Sequence, residues 1–179
     1  ESIIFPETVT TLQSGALSGA TGLKTVDLSN TSVTTIGGGA FGGCSSLESV
    51  DLPNDLTTVE GGAFSSCTSL TSINVEEDNE NYCSVDGVLY NEDITELICW
   101  PGGKTNVVLP DTVTSIENSA FYGNSQETID LSNTNITSIG DYAFNSCMNL
   151  VSINLPNNLI SIGNYVFNNC TSLTSINVE

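Results

Sequence analysis

One phrase returns along this chain and constrains its fold more than any other property. Its fullest copies run from Ile36 to Leu52, from Ile139 to Leu155 and from Ile162 to Val178. Each reads I-G-x-x-A/V-F-x-x-C-x-x-L-x-S-I/V-x-L/V. The slot before the Phe (Leu17 in the first copy) falls at Ala16, Ala40, Ala63, Ala120, Ala143 and Val166, in steps of 24, 23, 57, 23 and 23 residues. A fixed period of this length marks a solenoid, a quasi-one-dimensional stack of similar coils. Such a chain presents a broad surface rather than one deep catalytic centre.

Two patterns alternate within each unit. Apolar residues two apart at Val26/Leu28, Val50/Leu52, Ile73/Val75, Ile129/Leu131, Ile153/Leu155 and Ile176/Val178 have strand periodicity. Degenerate copies at Ile3/Phe5 and Val107/Leu109 complete eight expected strands, one per coil and all parallel. The other half, such as residues 63–70, spaces Ala63, Phe64, Cys67 and Leu70 by three and four, which predicts one or two inward-facing helical turns. Val33–Ile36 and its counterparts add a second short extended segment.

The step of 57 holds two coils, the second with extra residues between positions 76 and 104. The Ala-Phe signature is absent there. Ser84–Asn91, the polar pair Glu92-Asp93 and then Ile94–Pro101 read as a β-hairpin. It is expected to project from the solenoid where other coils carry helices. Pairing Leu89 with Leu97 would place Cys99 opposite Gly87, with a Cys83–Cys99 disulfide as the less favoured alternative.

Composition removes several function classes. Lys24 and Lys104 stand against 21 acids, with no His, and the net charge is −19. Nucleic acid and anionic membrane surfaces require the opposite charge. No apolar run approaches the length of a membrane-spanning helix, so no direct membrane insertion is expected. Without His, Ser-His-Asp and Cys-His machinery cannot be built, and with no CxxC either a zinc site has no ligand set. No cofactor or metal is expected. Gly37-x-Gly39-x-x-Gly42 formally matches a dinucleotide fingerprint, but the same slots hold Glu60, Gly62 and Ser65 one coil later.

These residues resemble the BspA-like, or Treponema pallidum-type, leucine-rich repeats over essentially the whole chain. Asn81–Asn91 through Leu97–Pro101 resembles the hairpin-bearing repeat of that family. The resemblance implies a curved α/β solenoid, with one parallel sheet face, short helices on the other side and one coil carrying a hairpin. It implies a non-enzymatic surface or secreted protein associated with adhesion. In that reading residues 1–179 are one solenoid with an irregular coil at 76–104. Glu1 opens without an initiator Met, and residues 171–179 repeat residues 68–76, so a fragment of a longer array is expected. Asn124 in the repeat Cys slot and Glu127 in a Leu slot suggest one loosely packed coil.

The candidate binding face consists of the outward residues of the sheet: Thr25, Asp27, Ser49, Asp51, Ser72, Asn74, Thr128, Asp130, Ser152, Asn154, Ser175 and Asn177. Small polar side chains on a rigid face suit a host or neighbouring-cell protein or glycan. A non-binding spacer is the alternative. A glycan hydrolase using an aspartate pair such as Asp27 and Asp51 is a third, since paired carboxylates need no His. Cys44, Cys67, Cys147 and Cys170 share one slot and read as buried packing residues, free because helix-spaced coils would stand roughly 8–10 Å apart. Tyr142 and Tyr165 should lie side by side. Glu76–Asn81 reads as a solvated acidic loop that could also offer oxygens to a hard cation. The acidity predicts a monomer in dilute buffer.

Overall fold

The computed structural model describes residues 2–178. They form a right-through stack of coils carrying sixteen strands, each two to four residues long. Seven of the eight expected sheet-face strands are present, but they form two sheets. Ser2–Ile4, Thr25–Asp27, Ser49–Leu52 and Ser72–Val75 make a four-stranded parallel sheet, and Thr128–Asp130, Ser152–Leu155 and Ser175–Val178 make a three-stranded one. Residues 107–109 form no strand. The shared repeat sets the register: Val26 pairs with Val50 and Val50 with Ile73, so like residues stack on like. The shorter segments expected after Val33 are also strands, from Thr35–Ile36 to Ser161–Ile162.

The expected helices are not there: no helix occurs among the described residues. The Ala-Phe stretch is a ribbon of consecutive tight turns. Two positions in each coil are left-handed, at Gly39 and Gly43 (φ 63° and 72°), Tyr142 and Ser146 (58° and 58°), and Tyr165 and Asn169 (55° and 58°). A right-handed helix cannot pass through such residues. Alternate amides then serve two partners. Ala40 N and Gly42 N donate within their own coil, to Gly37 O (3.0 Å) and Gly39 O (2.8 Å), whereas Phe41 N and Gly43 N donate to Ala63 O and Ser65 O of the next coil, both at 2.8 Å. A helix would have kept every amide for itself. The spacing of three and four still turns Ala40, Phe41, Cys44 and Leu47 inward, all fully buried.

Backbone bonding on both sides sets the coil separation near the ladder value of about 4.8 Å rather than a helix-packing distance. Aromatic rings therefore stack from coil to coil. Phe41 and Phe64 lie 5.2 Å apart at 1°, and Phe121, Phe144 and Phe167 continue the stack at 4.8 and 5.6 Å.

The irregular coil does not project. Residues Tyr82–Val85, Val88–Asn91 and Glu96–Cys99 form a three-stranded antiparallel unit, joined edge-on to Ser115–Ile116. The first turn is Asp86-Gly87, both left-handed (φ 51° and 77°), as a two-residue hairpin turn requires. This unit is a septum. Leu89 packs into the core of coils before it, while Val88, Tyr90 and Leu97 pack into the core after it. An irregularity between Leu97 and Cys99 puts Leu97 opposite Tyr90 and Cys99 opposite Leu89, not Gly87. Cys83 thus faces the second core and Cys99 the first.

Candidate binding face

All twelve predicted face residues are exposed or partly exposed, on alternate positions of strands whose intervening residues are buried in every strand but the last, where Ile176 is exposed. The structure brings them together as two ladders, not one. Thr25, Ser49 and Ser72 align, as do Asp27, Asp51 and Asn74. Thr128, Ser152 and Ser175 align separately with Asp130, Asn154 and Asn177 beside them.

Within a ladder the side chains hold one another. Asn74 Nδ2 donates to Asp51 Oδ1 at 2.6 Å, and Ser72 Oγ donates to Asn74 Oδ1 at 2.6 Å. Asn177 Nδ2 donates to Asn154 Oδ1 at 2.9 Å. The aspartates at the first strand of two ladders do something else. Ser29 donates its hydroxyl (2.6 Å) and amide (2.9 Å) to Asp27 Oδ1, and Ser132 N donates to Asp130 Oδ1 at 3.0 Å. These bonds favour the charged form, so Asp27 is held below the ordinary carboxylate range by Ser29, and Asp130 by Ser132. A glycosidase acid needs a carboxyl held protonated. Asp27 is shifted the opposite way and so does not suit the acid role.

The sequence profile of the BspA type leucine-rich repeat region matches residues 1–101 and 103–179, in six copies. The chain belongs to the BspA-type leucine-rich repeat family. None of the curated proteins compared with it matches. Two solved structures share the fold. A leucine-rich repeat protein from Eubacterium ventriosum is 23% identical over 94% of this chain and 57% of its own, with a TM-score of 0.63. The pneumococcal vaccine antigen PcpA is 24% identical over 99% of this chain and 62% of its own, with a TM-score of 0.62. The chain therefore spans about three fifths of the length of either structure.

In this BspA-type array the repeat Cys is a hydrogen-bonding residue as well as a packing one. The thiols of Cys67, Cys147 and Cys170 donate to the carbonyls of Phe41, Phe121 and Phe144 one coil earlier, at 3.0 to 3.1 Å. All six cysteines are free thiols in the structure. The reason given for expecting this in the repeat slot, wide helical spacing, does not hold; each of the four repeat-slot thiols is instead engaged by a carbonyl. Burial pushes Cys67 and Cys147 up to about 12. Asn124 takes the same slot and is buried; its Oδ1 accepts from Gln126 N, while its Nδ2 has no partner. Phe121 and Ile129 of that coil are nonetheless buried, so the coil carries a polar mismatch rather than loose packing. Tyr142 and Tyr165 stack with centroids 5.2 Å apart.

Sequence reasoning missed one residue outright. Asn79 lies within the acidic run but is buried. Its amide donates to the carbonyls of Pro53, Asn54 and Leu56 at 2.9 to 3.1 Å, and its Oδ1 accepts from Asn81 N and Tyr82 N at 2.8 Å each. Nothing in a run of acids and amides singles out the one that turns inward. Among the described residues no group of three or more His, Cys, Asp or Glu could hold a metal ion.

Proposed function

We propose that this array is a non-enzymatic recognition module, secreted or displayed at a cell surface, that binds a protein or glycan through its polar sheet ladders. The observation that carries this reading is the pair of outward ladders, whose side chains are held by Asp51–Asn74 and Asn154–Asn177 bonds. Fixing small polar groups before binding lowers the ordering cost that a partner would otherwise meet. Membership of the BspA-type family and the net charge of −19 are consistent with display outside the cell. Immobilised matrix proteins and glycans, screened with this chain, provide the test. A captured partner should be lost on Asp51→Lys or Asn154→Lys, with the far-ultraviolet circular dichroism unchanged. Capture indifferent to both substitutions would remove the ladders from the site, and no capture at all would favour a spacer.

A further inference from the structure

The break between the two sheets has a local cause. The Asp86-Gly87 turn wedges against Ser72–Val75: Ile73 N donates to Gly87 O at 2.9 Å, and Ser84 Oγ donates to Ile73 O at 2.6 Å. A Cβ on Gly87 would come within 3.0 Å of Ser72. The turn thus occupies the edge that residues 107–109 would otherwise pair with, and a cleft of about 370 Å³ opens between the turn and residues 104–110. That is within the usual size of small-ligand sites, roughly 300–1,000 Å³.

The walls of this cleft are chemically unlike the ladders. Val85, Val88 and Leu109 supply apolar surface. Trp100 lines it too, fixed by its Nε1 donating to Lys104 O at 3.2 Å. Tyr90 lines it while only 1% exposed, and its hydroxyl has no hydrogen-bond partner among the described residues. The ring is buried but the hydroxyl oxygen is not enclosed, so it opens onto the cleft with its O–H free to donate to a ligand there. Lys104 is half-buried at the same cleft and forms no ion pair among the described residues, whereas Lys24 is held by Glu48 at 3.2 Å. One of the two cations of a strongly acidic chain is thus kept available beside an unpaired hydroxyl. Asp86 and Asn106 stand at the rim, both exposed.

We propose that this cleft binds an acidic sugar residue, a hexuronate or comparable carboxylate-bearing ring of a glycan. The Lys104 ammonium meets the carboxylate, a charge-assisted contact. Tyr90 O–H donates to a ring or hydroxyl oxygen, Asp86 and Asn106 take sugar hydroxyls, and Val88 and Leu109 cover the C–H face. Asp86 is close enough to Tyr90 to help burial keep its hydroxyl protonated, so the tyrosine stays a donor. None of the twelve ladder residues lines the cleft, so this site stands apart from the ladder reading.

Trp100 is the only tryptophan of the chain, and its emission reports directly on the cleft. Titration with methyl glucuronide should give a saturable change, with matching amide shifts at Gly87 and Asn106 in NMR spectra. Methyl glucoside, neutral and of the same shape, should bind about tenfold more weakly. Lys104→Met should abolish the difference between the two sugars, and Tyr90→Phe should weaken both several-fold without a change in fold. Asp51→Lys should leave the titration unaltered. Equal binding of glucuronide and glucoside by the native chain, or no binding of either by emission and NMR, overturns the proposal. Cyclohexanecarboxylate binding as tightly as the glucuronide overturns the assignment of a sugar.

Discussion

Trp100 stacks on Phe121 with ring centroids 5.7 Å apart and an angle of 18°, and Trp100 N donates to Ala120 O at 2.9 Å. In the regular coils a Phe amide makes that bond to the following coil, as Phe41 does to Ala63. Trp100 therefore stands in the Phe slot of a coil that has no Ala-Phe pair, and begins the aromatic stack of the second core, which continues through Phe121 and Phe144. Trp100→Phe should be tolerated at less than about 1.5 kcal/mol. Trp100→Ala should cost about 3–5 kcal/mol in urea unfolding. Similar losses for the two variants would refute the slot equivalence.

Asn79 satisfies five backbone groups at the entrance to the septum. Asn79→Ala should cost about 3 kcal/mol or more, because it strands buried carbonyls and amides together. Asn79→Asp keeps both accepting bonds but sets a carboxylate against three carbonyl oxygens, and should be no better at neutral pH. A loss below 1 kcal/mol for either, about the value for an ordinary exposed site, would show that the turn holds without it.

The turn ribbon makes a conformational prediction free of packing. Nothing lies within 4 Å of a Cβ placed on Gly39, yet its φ is 63°. Gly39→Ala should therefore destabilise by about 1 kcal/mol through backbone strain alone. Ser146→Gly, at φ 58°, should shift stability the other way by a few tenths to about 1 kcal/mol. A stabilising Gly39→Ala in thermal or urea denaturation would contradict the left-handed assignment.

The cysteines give a pH dependence. Burial raises Cys67 and Cys147 from 9.0 to about 12, so the folded state holds their protons more tightly than the unfolded state. Their contribution is fully present below pH 9 and is lost as pH rises towards 12. Urea midpoints should fall across that window, and less steeply in a Cys67→Ala, Cys147→Ala chain. At pH 8 a thiol reagent should reach all six cysteines only after denaturation. A titre of two would mean two disulfides in solution.

Asn124→Cys restores the repeat residue and removes the buried Nδ2 without a partner. It should raise stability by about 1 kcal/mol, the lower end of the cost of an unsatisfied buried polar group. Calorimetry on the two chains would show it, and a lower melting temperature for the cysteine variant would be the contrary result.

The strands were legible because period two is a strong signal at Val26/Leu28 or Ile153/Leu155, and identical coils leave only one register. The turn ribbon was not. Its inward spacing of three and four matches a helix, and the decisive left-handed positions are glycine at Gly39, Gly43 and Gly62 but tyrosine at Tyr142 and Tyr165. The Asp86-Gly87 turn was present in the sequence but sat inside an apolar run that looked continuous. Missing it turned a three-stranded septum into a projecting hairpin, and hid the wedge that divides the face. The face residues themselves were legible individually. Their division into two ladders depended on a contact between Gly87 and Ile73 that no local pattern announces. The end strand was expected to finish at Val178-Glu179; Glu179 lies outside the described residues.

The two sides of each coil boundary bond in opposite directions. In the turn ribbon, Phe41 N and Phe144 N point to later coils, at Ala63 O and Val166 O; in the second row, Gly37 N and Gly163 N point to earlier ones, at Leu12 O and Ile139 O. Peptide dipoles aligned along a helix add up to a macrodipole. Here the two rows run against each other along the stacking axis. A coil added to such an array adds to both rows, whose dipoles oppose each other. Opened at any boundary between regular coils, the face looking towards higher residue numbers shows donors in one stripe and acceptors in another. Length can then change by whole coils with the pole from one row offset by that from the other.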